Sequence, residues 1–137
     1  MVSKPFESVC TQGAVFRWEG FENAGFAPKD KFVIILDADI KDPVLFVVTT
    51  SQTIQYRSSK INTVYYTIKA GKYPFFSKET ILDFNNYTYT RPFDELKNAY
   101  NRDLKYSGCL LEDDIQAIKT IVNESIIIDE EIIQRII

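Results

Sequence analysis

The chain has 137 residues, about one domain's length, and its 45% hydrophobic and 26% charged content is ordinary for a globular protein that buries a core without staples. It contains no histidine, which excludes Ser-His-Asp and Cys-His catalysis and removes the commonest metal ligand. A net charge of −3 argues against a generally basic nucleic-acid binder, and no apolar run reaches the roughly 18 residues that span a bilayer.

The opening MVSKPFESVC lacks the apolar stretch of a secretory signal, so a cytoplasmic location and no membrane contact are expected. The two cysteines, Cys10 and Cys109, lack metal-ligand spacing and read as reduced, buried thiols. No GxGxxG, GxxxxGK[ST] or HExxH pattern occurs, so no cofactor and no metal are expected.

Residues 14–18 (AVFRW) are short and rich in strand formers. Residues 19–30 (EGFENAGFAPKD) read as a loop with exposed Phe21 and Phe26, whose ordering would follow binding; an ordinary loop with both rings tucked into the core is the alternative. Two apolar runs follow, residues 32–36 and 44–48, joined by a hairpin-sized polar connection. Continuous apolar runs fit strands buried on both faces; periodicity does not separate them from helix, and their β-branched content and short length favour strand. A polar loop over 52–62 leads to a strand at 63–68 (TVYYTI), and a further strand is predicted at 80–84 after the turn-rich AGKYPFFSKE.

Then the period changes. Pro92 opens a helix whose face carries Phe93, Leu96, Tyr100 and Leu104, with Gly108 closing it. Leu111, Ile115, Ile118 and Val122 form a second helical stripe, with Glu112, Asp113 and Asp114 in its first turn. Residues 125–129 read as extended, and Asp129 caps a last helix that turns Ile132, Ile133 and Ile136 inward. That isoleucine stripe covers the sheet or forms a homodimer seam. The expectation is a single domain over residues 1–137, α+β and mainly β, with a helical third from about residue 92.

Charge is unevenly spread. Residues 1–78 carry ten Lys/Arg against seven Asp/Glu, and residues 79–137 carry six against twelve. Between Pro43 and Lys78 there is no acid, while Arg57, Lys60, Lys69, Lys72 and Lys78 interleave with Tyr56, Tyr65, Tyr66, Tyr73, Phe75 and Phe76. Cations among aromatics suit single-stranded RNA, since bases stack on rings and cations meet phosphates. A core of strand aromatics with a solvated lysine face is the plainer alternative. The run at 44–48 ends in Thr49-Thr50-Ser51-Gln52, and Lys31 opens its partner. Such an end is either simply solvated or an anion site.

Three stretches resemble the PemK/MazF-like toxin family. PVLFVVTTS at the hairpin is similar to the family's V-x-V-x-P-x-T-S strand. FFSKETILDF is similar to L-x-K-x-S-Y-V. GCLLEDDIQAIKTIVNESIII is similar to the closing G-x-L-x(6)-V-x(3)-L-x-x-S-L-G-L helix. The resemblance spans about residues 30–128. It implies a small SH3-like antiparallel barrel and metal-independent cleavage of single-stranded RNA. It also implies a small antitoxin protein and a homodimer as partners. Thr50 and Ser51 match the family's hydroxyl pair. Lys31-Phe32 stands where the family has Arg-Pro, so Lys31 takes the catalytic arginine's place. Arg17, Lys29 and Lys78 are candidate cations from adjoining segments, and Arg57 and Lys60 complete the RNA-binding set. A lysine lacks arginine's planar fork. The chain therefore reads either as an endoribonuclease of weakened activity or as a non-catalytic module of the same fold binding RNA or a protein partner.

Overall fold

The computed structural model describes residues 4–22, 27–38, 43–53, 56 and 63–137. Among these, the elements are α1 (Phe6–Val9), β1 (Ala14–Phe21), β2 (Lys29–Asp37), β3 (Val44–Thr50), β4 (Tyr65–Ile68), β5 (Thr80–Asp83), β6 (Thr88–Arg91), α2 (Phe93–Ala99), β7 (Leu104–Cys109), α3 (Glu112–Asn123) and α4 (Glu130–Ile136). The protein is α+β and mainly β. Its seven strands form one antiparallel sheet in the order β4-β5-β3-β2-β1-β7, with β6 also on β3. The end strands β4 and β7 do not pair with each other among the described residues. The sheet is open, where the resemblance implies a closed barrel.

The apolar runs at the hairpin are buried on both faces, as their unbroken hydrophobicity predicts. On one face Ile34, Leu36, Leu45 and Val47 pack under Ile118 and Val122 of α3 and Ile133 and Ile136 of α4. On the other, Val33, Ile35, Phe46 and Val48 meet Phe6 of α1 and Leu96 and Ala99 of α2. The C-terminal isoleucines thus cover the chain's own sheet. Asp129 caps α4 as expected, its carboxylate accepting from the Glu131 amide. Gln12 fastens the far end of α4, donating to the carbonyls of Leu36 and Ile136.

Several elements differ from the sequence reading. The helix opened by Pro92 stops at Ala99. Tyr100 is extended, Asn101 takes a left-handed φ of 67°, and the chain turns into β7, which lays Leu104 against Trp18. The helical spacing of Leu104 is therefore coincidental, and the C-terminal third is not wholly helical. Residues 126–128 bend rather than extend. Phe21 lies inside β1 and is buried against Trp18 and Tyr89, at ring separations of 5.0 and 5.8 Å. Phe26 lies outside the described residues. Cys10 is buried but Cys109 is exposed, its sulfur 3.1 Å from the Tyr106 hydroxyl.

Strands β5 and β6 share one edge of β3. Leu82 and Ile81 oppose Thr49 and Thr50, and Tyr89 opposes Phe46. Buried Asp83 holds the bend between them. Its carboxylate accepts from the Tyr56 and Thr63 hydroxyls, the Asn86 side chain and the amides of Asn85 and Asn86. Burial pushes its pKa up, but these donors outweigh burial and hold it below the usual carboxylate value. Asp83→Asn removes the charge and offers an amide N–H to some of those donors. A loss of about 1.5–3 kcal/mol is expected from urea denaturation.

Candidate functional site

The hairpin end is built by register. Val33 lies opposite Val48, and the Thr49 hydroxyl donates to the Phe32 carbonyl at 3.1 Å. The β2–β3 pairing ends at Val33 and Val48, with Lys31 and Thr50 two residues further along their strands. On its other side Lys31 lies opposite Trp18 of β1. A bulge between Trp18 and Phe21 then sets Phe21 opposite Lys29. Alternation puts Lys31 and Thr50 on the face of Val33 and Val48, and Phe32 and Thr49 on the other.

Two hollows open at this strand end. The smaller, about 190 Å³, is lined by Lys31, Thr50, Ser51 and Lys78, together with Asp30, Thr49, Ser77 and the rings of Phe32, Phe75 and Phe76. The larger, about 420 Å³, is lined by Phe21, Val48, Tyr87 and Tyr89, with Lys29, Lys31, Thr49, Thr50 and Gln52 toward its polar side. Lys31, Thr49 and Thr50 belong to both. The structure thus brings Lys31, Thr50, Ser51 and Lys78 around one hollow, and Lys29 joins Lys31 at the next.

Among the described residues, the ammonium groups of Lys29, Lys31 and Lys78 have no hydrogen-bond or ion-pair partner. Asp30 does not neutralise them. It pairs with Arg17 at 3.1 Å and accepts from the Gly20 amide at 2.9 Å. Lys31 is half-buried, and burial, with Lys29 nearby, lowers its pKa from the ordinary lysine value. The Thr50 oxygen accepts from the Gln52 amide at 3.2 Å, a turn-forming bond that leaves the hydroxyl hydrogen to donate. Thr49 is buried with its hydroxyl committed to Phe32. Ser51 is exposed.

Arg17 is not brought to either hollow. It sits on an exposed part of β1 in ion pairs with Asp30 and Glu19. Arg57 and Lys60 lie outside the described residues. The aromatics of the acid-free window are mostly core. Tyr56, Tyr73 and Phe76 are buried, and Phe75 and Phe76 line the smaller hollow.

Sequence reasoning missed the support beneath this wall. The segment 69–79 is pinned by buried Asp114 at the start of α3. Its carboxylate accepts from the hydroxyls of Tyr66 and Tyr73 and pairs with the Lys72 ammonium at 2.9 Å. The Tyr73 oxygen in turn accepts from the Leu111 amide at 2.8 Å. Tyr73 stacks on Phe75 at 5.3 Å. Gly108, read from sequence as a helix stop, lies in the β1–β7 bulge with φ of 148°. A Cβ there would lie 3.0 Å from the Phe75 ring. The one available signal for this brace was Asp114 standing third in a run of acids on the helix's inward side.

Among the described residues no group of three or more His, Cys, Asp or Glu side chains is placed to hold a metal ion, and no helix is long and apolar enough to cross a membrane. Comparison with family models, curated proteins and solved structures finds no match to this chain.

Proposed function

We propose that this chain is a PemK/MazF-like toxin of the cytoplasm, its sheet an opened form of the SH3-like barrel, and that it cuts single-stranded RNA without a metal. The observation that supports the reading most is the hollow shared by Lys31, Thr50, Ser51 and Lys78, with lysines that have no partner among the described residues. A phosphodiester supplies the missing counter-charge.

In the proposed reaction the 2′-oxygen bonds to the neighbouring phosphorus and the P–O5′ bond breaks. The products are a 2′,3′-cyclic phosphate and a 5′-hydroxyl. Lys31, whose charged form is disfavoured by burial and by Lys29, takes the 2′-hydroxyl proton. The Lys78 ammonium returns a proton to the leaving 5′-oxygen. Thr50 and Ser51 donate to the phosphoryl oxygens as charge builds there, and one well-placed donor of this kind is worth about 3–4 kcal/mol. A small acidic antitoxin protein would compete for the same cations, and a second copy of the chain is a further expected partner.

A second reading is a non-catalytic module of the same fold that binds RNA or a protein partner. One observation favours it: Lys31 replaces the family's arginine and lacks its bidentate fork. Incubating purified protein with single-stranded RNA in chelator separates the two. Fragments ending in cyclic phosphate support the nuclease. Intact RNA in a salt-sensitive complex supports the module and sinks the nuclease.

A further inference from the structure

The larger hollow has a composition of its own. Phe21 and Tyr89, 5.8 Å apart, and Tyr87 give it aromatic walls, and Val48 gives it an apolar floor. Its charged lining is Lys29 and Lys31, with no carboxylate among the described residues. Its volume of about 420 Å³ falls in the range of pockets that hold a small ligand. A purely apolar guest would leave the two lysine nitrogens unmet, and a bare phosphate would leave the rings unused. A group carrying both a flat ring and a phosphate meets both needs.

We propose that this hollow is a nucleobase subsite: the base of one RNA nucleotide lies against Phe21, Tyr87 and Tyr89, while its phosphate passes over Lys31 and Thr50 into the smaller hollow. The inference rests on the reading of the hairpin end as a phosphate site. The fold places the two parts in line. Tyr89 opposes Phe46 on β3, on the sheet face that continues to Thr50 and Lys31. The break at 84–87 sets Tyr87 where its carbonyl accepts from the Val48 amide, one strand step from Thr49. Base and phosphate are thereby held on either side of one lysine. A strand bound this way is drawn across the hairpin end rather than along it.

The test titrates the intact protein with adenosine 5′-monophosphate and, separately, with ribose 5-phosphate, following the ring resonances of Phe21, Tyr87 and Tyr89 by NMR. The nucleotide is expected to shift all three and to bind at least about tenfold more tightly than the sugar phosphate, the effect of one stacked base. Tyr87→Leu should narrow that gap, and Gln52→Ala, at the rim, gives a second variant if Tyr87→Leu fails to fold. Equal binding of the two ligands, no binding, or nucleotide binding with the three rings unmoved overturns the inference. The outcome is separable from the nuclease reading. Base-dependent binding with intact RNA keeps the subsite and removes the cleavage. Cleavage with base-independent binding does the reverse.

Discussion

Denaturation of an Asp114→Ala variant is expected to show a loss of about 3 kcal/mol, because a buried carboxylate that organises its surroundings leaves orphaned donors when removed. Asp114 is 1% exposed. Its absence strands the hydroxyls of Tyr66 and Tyr73, which now donate to it, and leaves Lys72 only the exposed Asp113. Both tyrosines have pKa values pushed up to about 12, by burial first and then by Asp114 itself. Their titration therefore serves as a reporter: in the variant both should ionise at lower pH. The Asp114 pKa is raised by burial but held below the ordinary carboxylate value overall by Tyr66, Tyr73 and Lys72. A carboxylate with a depressed folded pKa contributes stability above its unfolded pKa, about 3.9, and that contribution fades as pH falls through the folded value. Asp83 is shifted the same way. Wild-type stability should thus fall in acid below about pH 4, and Asp114→Asn should remove part of that slope while Asp83 keeps the rest. An Asp114 variant as stable as wild type, with an unchanged acid slope, would contradict this account.

On the proposed nuclease reading, Lys31→Ala is expected to lower RNA cleavage at least about 100-fold, the usual loss when a positioned general base is removed. The fold should not suffer. The lowered pKa of Lys31 means that its charged form is disfavoured where it sits, so its removal leaves stability level or raises it. Activity and stability are therefore expected to part, which a structural role for Lys31 would not produce. The pH profile adds a sign. If neutral Lys31 is the base, the rate rises with pH until the lowered pKa is passed, then levels. Below that pKa the group is mostly protonated in both folded and unfolded chains, and its unfavourable charge is relieved only as pH climbs through the window up to the ordinary value of about 10.4. Lys31→Arg supplies a bidentate phosphate partner but no accessible base. RNA binding should hold while the rising limb of the profile disappears. Full activity in Lys31→Ala would remove the lysine from the chemistry.

The hairpin was legible because residues 32–36 and 44–48 are short, β-branched and unbroken in their apolar character, which fits strands covered on both faces. The last helix was legible through Asp129, a cap with a local mechanism. Strand β7 was hidden because Leu104 falls on the helical spacing of Phe93, Leu96 and Tyr100, while the break depends on the left-handed turn at Asn101. Strand β6 was hidden by its neighbours, since Asn85, Asn86 and Pro92 read as punctuation around four residues. At the site, the sequence brings Lys31 and Thr50 together only if the hairpin register allows, and that register carries a bulge between Ile35 and Asp37 that no local pattern announces. Lys78 could not be paired with them, because its place depends on β5 joining β3 far along the chain. Nor did sequence reveal Tyr87 and Tyr89, which reach the hollow through the break after Asp83.

An open sheet exposes unpaired backbone groups along its outermost strands, a standing invitation for another chain to add itself. The irregular step at Gly108 interrupts that row on β7, since the register against β1 shifts between Val15 and Phe16. At the opposite margin β4 spans only Tyr65–Ile68. Among the described residues neither margin presents a long, even ladder, so edge-to-edge addition of a neighbouring molecule's strand gains little purchase there.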